Sequence, residues 1–193
     1  MWALQQIQVL LQLTHSHSIV RRYFVVNGFD GALTILGIIT GFHVSGEANI
    51  QVMISTCFGA AVALTVSGLT SAYISEAAEK QKDFSDLQDA MVADLSDTNH
   101  ARAAKIVPFL VAAVNGFAPF LFALLIITPL WLAHTRLLAS VNPLVAALLV
   151  ALTIIFLLGV FLGRVSGVFW LWSGVRTLLV AILTMGVIMG VNI

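Results

Sequence analysis

Residues 144–162 read LVAALLVALTIIFLLGVFL, an apolar stretch without a charged side chain. A helix needs about 20 apolar residues to cross the hydrocarbon core of a bilayer, so this stretch predicts a transmembrane helix. Charged residues delimit four further apolar stretches of similar character. They are 23–44, 50–74, 106–133 and 177–191. The chain is therefore predicted to be an all-α integral membrane protein with five transmembrane helices.

The composition of the whole chain agrees with this class. Of the 193 residues, 60% are hydrophobic and 9% charged, whereas soluble domains carry roughly 25% charged residues. The nine basic and nine acidic residues balance to a formal net charge of zero, so nucleic acid is not an expected partner. The single cysteine, Cys57, excludes an intrachain disulfide framework and a multi-thiolate zinc site.

The distribution of basic residues predicts the orientation. Eight of the nine Lys and Arg residues fall on one side of the predicted spans, and only Arg136 falls on the other. Because loops rich in Lys and Arg remain in the cytoplasm, the N-terminus is predicted to be cytoplasmic and the C-terminus to lie outside. The eight residues on the cytoplasmic side are Arg21, Arg22, Lys80, Lys82, Arg102, Lys105, Arg164 and Arg176.

The entry to the fifth span carries a basic residue beside three aromatic rings. An arginine at mid-membrane costs at least about 2.5 kcal/mol, so we expect Arg176 to lie at the membrane edge. Phe169, Trp170 and Trp172 come just before it. Aromatic rings favour the membrane–water interface, which supports this placement.

The N-terminal segment, residues 1–22, is predicted to lie on the cytoplasmic surface. Trp2, Ile7, Leu10 and Leu11 alternate with glutamines, a pattern typical of an amphipathic interfacial helix. No basic residue precedes this run and no small-residue cleavage site follows it, so a signal peptide is not expected. A short chain of this kind favours a prokaryotic plasma membrane.

The connection between the second and third spans, residues 76–105, holds seven of the nine acidic residues. Its first part lacks Gly and Pro, so we expect the helix of the second span to continue into water. Ser85 with Gln88 matches a capping box, which predicts a separate short helix through about Leu95. The predicted organisation is 1–22, 23–75, 76–105 and 106–193.

Asp30 is the only charged residue inside a predicted span. It lies about 10 Å along the first helix, where an ionised carboxylate cannot face lipid. We therefore expect it to face a bundle interior, a water-filled path or a bound cation. The alternative is a structural carboxylate that is hydrogen-bonded to Asn27 or to a neighbouring helix.

Polar and small residues recur around Asp30 at three- and four-residue steps, which places them on one stripe of the first helix. They are Asn27, Thr34, Gly37 and Gly41. The second span carries a similar row that includes Ser67 and Thr70, and the third carries Asn115 beside Gly116 and Pro119. A broken turn at Asn115 is expected to expose backbone carbonyls to a cavity. Plain helix packing is the competing interpretation of these rows.

A further set of carboxylates follows the second span. Glu76, Glu79, Asp83 and Asp86 are spaced by three, four and three residues, so they share one side of a helix. Clustered oxygen ligands attract divalent cations. The alternative is a solvated helix in which Glu76 pairs with Lys80 and Asp86 with Lys82.

Several of these segments together resemble the vacuolar iron transporter family. The opening helix carries Arg21 and Arg22, then Asn27-Gly28-Phe29-Asp30-Gly31, followed by Thr34 and Gly41. Weaker similarity continues at Tyr73-Ile74-Ser75, at Gly116 with Pro119, at Leu157-Leu158-Gly159 and at Trp172-Ser173-Gly174-Val175-Arg176. The chain departs from the family at Ala72, where members have a glutamate, and at Gly68, where iron transporters have a methionine.

The resemblance implies a homodimeric, proton-coupled exporter of Fe²⁺, Mn²⁺ or a related divalent metal, with a path between the first spans of two subunits. Asp30 is the residue that matches the family's motif. No tightly bound cofactor is expected, and the predicted partners are the bilayer, a second copy of the chain and the transported ion. The alternative is a non-transporting membrane scaffold whose acidic segment docks a soluble partner. An enzyme is not expected, because the chain has no His-Glu-x-x-His motif.

Overall fold

The computed structural model describes residues 17–46, 49–135 and 142–191. In this part of the chain every regular element is an α-helix and no strand forms. The helices are α1 (His17–Ser45), α2 (Ile50–Met91), α3 (Asn99–His134), α4 (Pro143–Ser166) and α5 (Trp170–Val191). Each is long and apolar enough to cross a bilayer, so the prediction of five such helices is confirmed. The predicted N-terminal amphipathic helix lies almost wholly outside the described residues.

Two helix boundaries differ from the sequence prediction. The prediction of a separate helix from Ser85 is wrong, because α2 continues without interruption to Met91. No Gly or Pro breaks it, and it ends where Val92 adopts a positive φ of 49°. The fifth helix begins at Trp170, so Arg176 lies inside the helix and not ahead of it.

The turn between α2 and α3 is held by an exposed carboxylate. Asp94 accepts hydrogen bonds from both the hydroxyl and the backbone N–H of Ser96. These bonds favour the ionised form and lower the pKa of the Asp94 carboxyl below its ordinary value. Asp94, one of the seven acidic residues in this connection, therefore stabilises a polar turn.

The chain divides into two compact units. The first unit comprises residues 1–24 and 65–117, and the second comprises 25–64 and 118–193. In the first unit the buried side chains of Ala103, Val107 and Val111 on α3 form a small core, against which Ile19, Val20 and Tyr23 of α1 pack.

In the first unit α2 and α3 approach each other closely at small residues. A β-carbon added at Gly68 would lie 3.3 Å from the backbone of Gly116, and one added at Gly116 would lie 2.8 Å from the carbonyl oxygen of Thr65. The predicted broken turn at Asn115 is wrong, because α3 is helical from Asn99 to His134. The amide of Asn115 donates to the Gly68 carbonyl at 2.7 Å, so it bridges two intact helices.

The second unit has the larger core, to which all five helices contribute buried aliphatic side chains, Ile35, Met53, Ile126, Ile155 and Ala181 among them. Glycines bring α4 and α5 together. A β-carbon at Gly174 would lie 2.6 Å from the ring of Phe156, and one at Gly163 would lie 2.7 Å from Cβ of Ser173. Asn142 caps α4 by accepting from the Leu144 N–H at 3.0 Å. The corner after α4 turns at Gly167, whose φ of 71° suits a residue without a side chain.

We predict that Gly31→Ala destabilises the protein. Its new β-carbon would lie 2.6 Å from Cα of Pro119, and backbone at that distance yields only if two helices separate. Overpacking of this kind costs about 1–3 kcal/mol. The matched control is Gly186→Ala, because a β-carbon there meets nothing within 4 Å and a helical alanine gains up to about 1 kcal/mol over glycine. Thermal unfolding in detergent should give a lower Tm for Gly31→Ala than for the control; equal Tm values would contradict the close approach.

Candidate functional site

Asp30 lies on α1 in the second unit and is exposed. It borders a cleft of about 180 Å³ whose lining is otherwise almost wholly apolar. The residues that line the cleft are Val25, Val26, Phe29, Asp30, Leu158, Gly159, Leu162 and Thr177. The one carboxylate inside the predicted spans is thus accessible and is not sealed among packed neighbours.

The orientation of Asp30 follows from the glycines on either side of it. Gly28 and Gly31 face α3, where added β-carbons would collide with the Phe122 ring and the Pro119 backbone. Successive residues of a helix are turned by about 100°, so Asp30 points well away from that contact. It shares the opposite face of α1 with Val25, Val26 and Phe29 and lines the cleft together with α4 and α5.

Thr177 of α5 is the second oxygen-bearing side chain that lines the cleft, and the sequence analysis did not identify it. Its hydroxyl oxygen lies 3.1 Å from the carbonyl oxygen of Ile155 and 2.9 Å from that of Gly174. A hydroxyl donates one hydrogen and retains acceptor capacity, so the oxygen can still accept. Its signal in the sequence is its position directly after Arg176, at the start of the fifth predicted span.

The predicted companions of Asp30 on α1 are half-buried. They are Asn27, Thr34, Gly37 and Gly41, and none of them lines this cleft. A β-carbon at Gly37 would lie 3.4 Å from the side chain of Ile188, whereas Gly41 has open space around it. The role of this stripe in a transport path stays a prediction.

The predicted path residues on the second and third helices belong to the first unit. Ser67 and Thr70 are exposed, and the Thr70 hydroxyl donates to the Val66 carbonyl at 2.8 Å within its own helix. Asn115 is 5% exposed, and its hydrogen bond to Gly68 is the interhelical contact described above. For Asn115 this bond favours the packing interpretation, while its part in a path stays a prediction.

The four carboxylates of α2 do not share one environment. Glu76 is 3% exposed, whereas Glu79, Asp83 and Asp86 are exposed. Among the described residues, no three His, Cys, Asp or Glu side chains lie close enough to hold a metal ion. A metal-binding role for this row therefore stays a prediction.

Lys80 takes a different partner from the one expected. It forms an ion pair with Asp83 at 3.1 Å, three residues along the helix, and not with Glu76. Lys80 is itself buried, while the Asp83 side chain is 59% exposed, so solvent weakens the pair.

Glu76 forms the polar centre of the first unit. It interacts with the hydroxyl of Tyr23 on α1, and the guanidinium of Arg22 lies 5.7 Å above the Tyr23 ring. The second carboxylate oxygen, Oε2, is buried without a hydrogen-bond partner in the described structure. Since buried polar atoms nearly always have partners, this oxygen is an acceptor in need of a donor or a cation.

Comparison with known proteins gives one informative similarity. The chain is 25% identical over 158 residues to the uncharacterized protein MJ0645 of Methanocaldococcus jannaschii, a likeness that covers 80% of this chain and 79% of the archaeal one. No family model matches the chain, and no solved structure matches it. The similarity spans most of both chains and is compatible with a prokaryotic protein. At 25% identity it assigns neither a family nor an activity to this chain.

Proposed function

We propose that this chain is an integral membrane transporter of divalent cations of the iron or manganese class, with Asp30 as the carboxylate that accepts the ion. One observation carries the proposal: Asp30 is exposed at a cleft, on a helix long and apolar enough to cross a membrane. Charged groups at such positions are costly and mark ion pathways and binding sites. The resemblance of residues 27–31 to the opening helix of vacuolar iron transporters supports the same function.

The proposed membrane placement has the N-terminus in the cytoplasm and the C-terminus outside. The eight-to-one distribution of basic residues supports this orientation. Large apolar side chains on α5 are exposed, with Leu183 at 68%. An apolar surface of this extent suits contact with lipid better than contact with water.

This orientation predicts the labelling of introduced cysteines. The native Cys57 is fully buried, so the wild-type chain should give little background. In intact cells, a membrane-impermeant maleimide should label His43→Cys, at the outer end of α1, and should label Lys82→Cys only after permeabilisation. Labelling of both before permeabilisation, or the reverse pattern, would contradict the proposed orientation.

The proposed transport site requires a second subunit. Hard divalent cations take about six oxygen ligands or more, and one carboxylate with one hydroxyl supplies too few. A symmetric homodimer that brings two Asp30 side chains together, with Asn27 and Thr34 nearby on the same helix, would supply a larger set. A proton that competes with the ion for these carboxylates would couple ion export to proton entry.

Asp30→Asn should lower Fe²⁺ or Mn²⁺ flux in proteoliposomes by a factor on the order of ten or more, because an amide oxygen is a weak ligand for a hard cation. Asp89→Asn is the matched control, since it removes an exposed carboxylate of α2 that belongs to neither predicted metal site, and its flux should remain near that of the wild type. Elution volume and Tm of both variants test folding. Unchanged flux in Asp30→Asn, or no metal flux in the wild type, would refute the proposal, and a lower Tm with no metal flux would favour the scaffold.

The apolar lining of the cleft favours a second candidate substrate, an amphipathic organic cation. Val25, Phe29 and Leu162 surround the single carboxylate of Asp30. Pockets of this kind bind small organic molecules through apolar contact and fix them by a few polar groups. A cation with a spread charge is also easier to dehydrate than a metal ion.

Tetraethylammonium is a suitable probe of this second candidate, because its size suits a cleft of about 180 Å³. Leu162→Trp should fill the cleft. The Kd of the protein for this probe cation should then rise by a factor on the order of ten, which corresponds to about 1.4 kcal/mol. Leu149→Trp is the control, because Leu149 is an exposed residue of α4 outside the cleft. Isothermal titration measures both. Absence of binding to the wild type, or equal binding to the two variants, would exclude the cleft as an organic-cation site.

A further inference from the structure

The corner between α4 and α5 carries two arginines on two tryptophan rings. The guanidinium of Arg164 lies 5.7 Å from the centre of the Trp170 ring, and that of Arg176 lies 5.4 Å from the centre of the Trp172 ring. All four side chains are exposed. Phe169, beside Trp170, is 65% exposed. Basic and aromatic groups are thus presented together at one end of two candidate membrane spans.

The two arginines form no ion pair with any of the described residues. In the part of the chain that the structure describes, neither lies within ion-pair distance of a carboxylate. The sequence of the second unit contains only two acidic residues, Asp30 and Glu47, and Asp30 borders the apolar cleft. The charge of this corner is therefore available for an external anion.

The corner is also rigidly built. Val168 donates its N–H to the carbonyl of Gly163 at 3.1 Å, which closes the turn at Gly167. A β-carbon at Gly163 would lie 3.0 Å from Cα of Trp170, so the end of α4 and the start of α5 are in direct contact. The positions from which the arginines extend are fixed by the fold, and ligand binding does not need to order them.

We propose that this corner binds the headgroups of anionic phospholipids in the cytoplasmic leaflet. Arg164 and Arg176 would each donate to a phosphate, because a guanidinium stacked on a ring still presents its N–H groups in its own plane. Phe169, Trp170 and Trp172 would lie at the level between headgroup and acyl chain, where aromatic rings concentrate. A basic surface at this leaflet is attracted to anionic lipid. The inference depends on the membrane orientation proposed above and not on the identity of the transported ion.

The test uses the full chain in nanodiscs of phosphatidylcholine alone or with phosphatidylglycerol. The variant is Arg164→Gln with Arg176→Gln, and the control is Lys82→Gln with Arg102→Gln, which removes two exposed positive charges elsewhere. Native mass spectrometry should show retained phosphatidylglycerol on the wild type and the control. The arginine variant should lose at least roughly tenfold in preference for phosphatidylglycerol over phosphatidylcholine, since each basic residue near the surface contributes about fivefold.

Three results would overturn the proposal. The first is an unchanged lipid preference in the arginine variant, and the second is an equal loss of preference in the control. The third is a rise in Tm with inorganic phosphate alone that equals the rise with phosphatidylglycerol. Trp170→Leu with Trp172→Leu should weaken binding of both lipids alike and leave the preference for phosphatidylglycerol in place. Cysteine labelling of the same chain in intact cells separates failure of the orientation from failure of this inference, and Asp30→Asn should keep the wild-type lipid preference.

Discussion

The close approach of α1 to α3 at Gly28 and Gly31 is the contact on which the candidate site depends. Neither position has space for a side chain, because Phe122 and Pro119 fill it. This contact fixes the rotation of α1 about its axis, and the rotation directs Asp30 toward α4 and α5. Without it, the same sequence could bury the carboxylate among the aliphatic side chains of Ile35 and Leu36, where an unpaired charge would be far more costly.

The carboxylates of Asp30 and Glu76 differ in their exposure. Asp30 remains exposed although its helix is apolar enough to lie in a membrane. Glu76 is almost fully buried; one of its oxygens interacts with Tyr23, and the other has no hydrogen-bond partner among the residues that the structure describes. An exposed carboxylate can exchange ligands readily, whereas a buried one first requires neighbouring helices to move. This difference is why Asp30, and not Glu76, is the better candidate for the proposed cation site.

The five helices could be predicted from the sequence because hydropathy is a local property of each stretch. The prediction of a separate helix from Ser85 is wrong, because a capping pattern has no effect where nothing stops the preceding helix. The neighbours of Asp30 were harder to predict. Helical spacing selected Asn27 and Thr34 on the same helix, whereas the cleft is completed by Thr177, which comes from a helix far along the chain. Which face of α1 meets α5 depends on packing that a single sequence does not encode locally.

The choice between a metal ion and an organic cation depends on how many oxygen ligands can contact a cation that is bound at Asp30. Within one subunit the cleft provides one carboxylate and one hydroxyl among apolar side chains, which suits a large cation whose dehydration is cheap. A metal ion loses its water only when a nearly complete shell of oxygens replaces it. A metal substrate therefore requires a dimer in which two copies of Asp30 converge, whereas an organic cation can bind to the single subunit. The oligomeric state and the substrate class are thus linked, and a monomeric protein in the membrane would favour the organic cation.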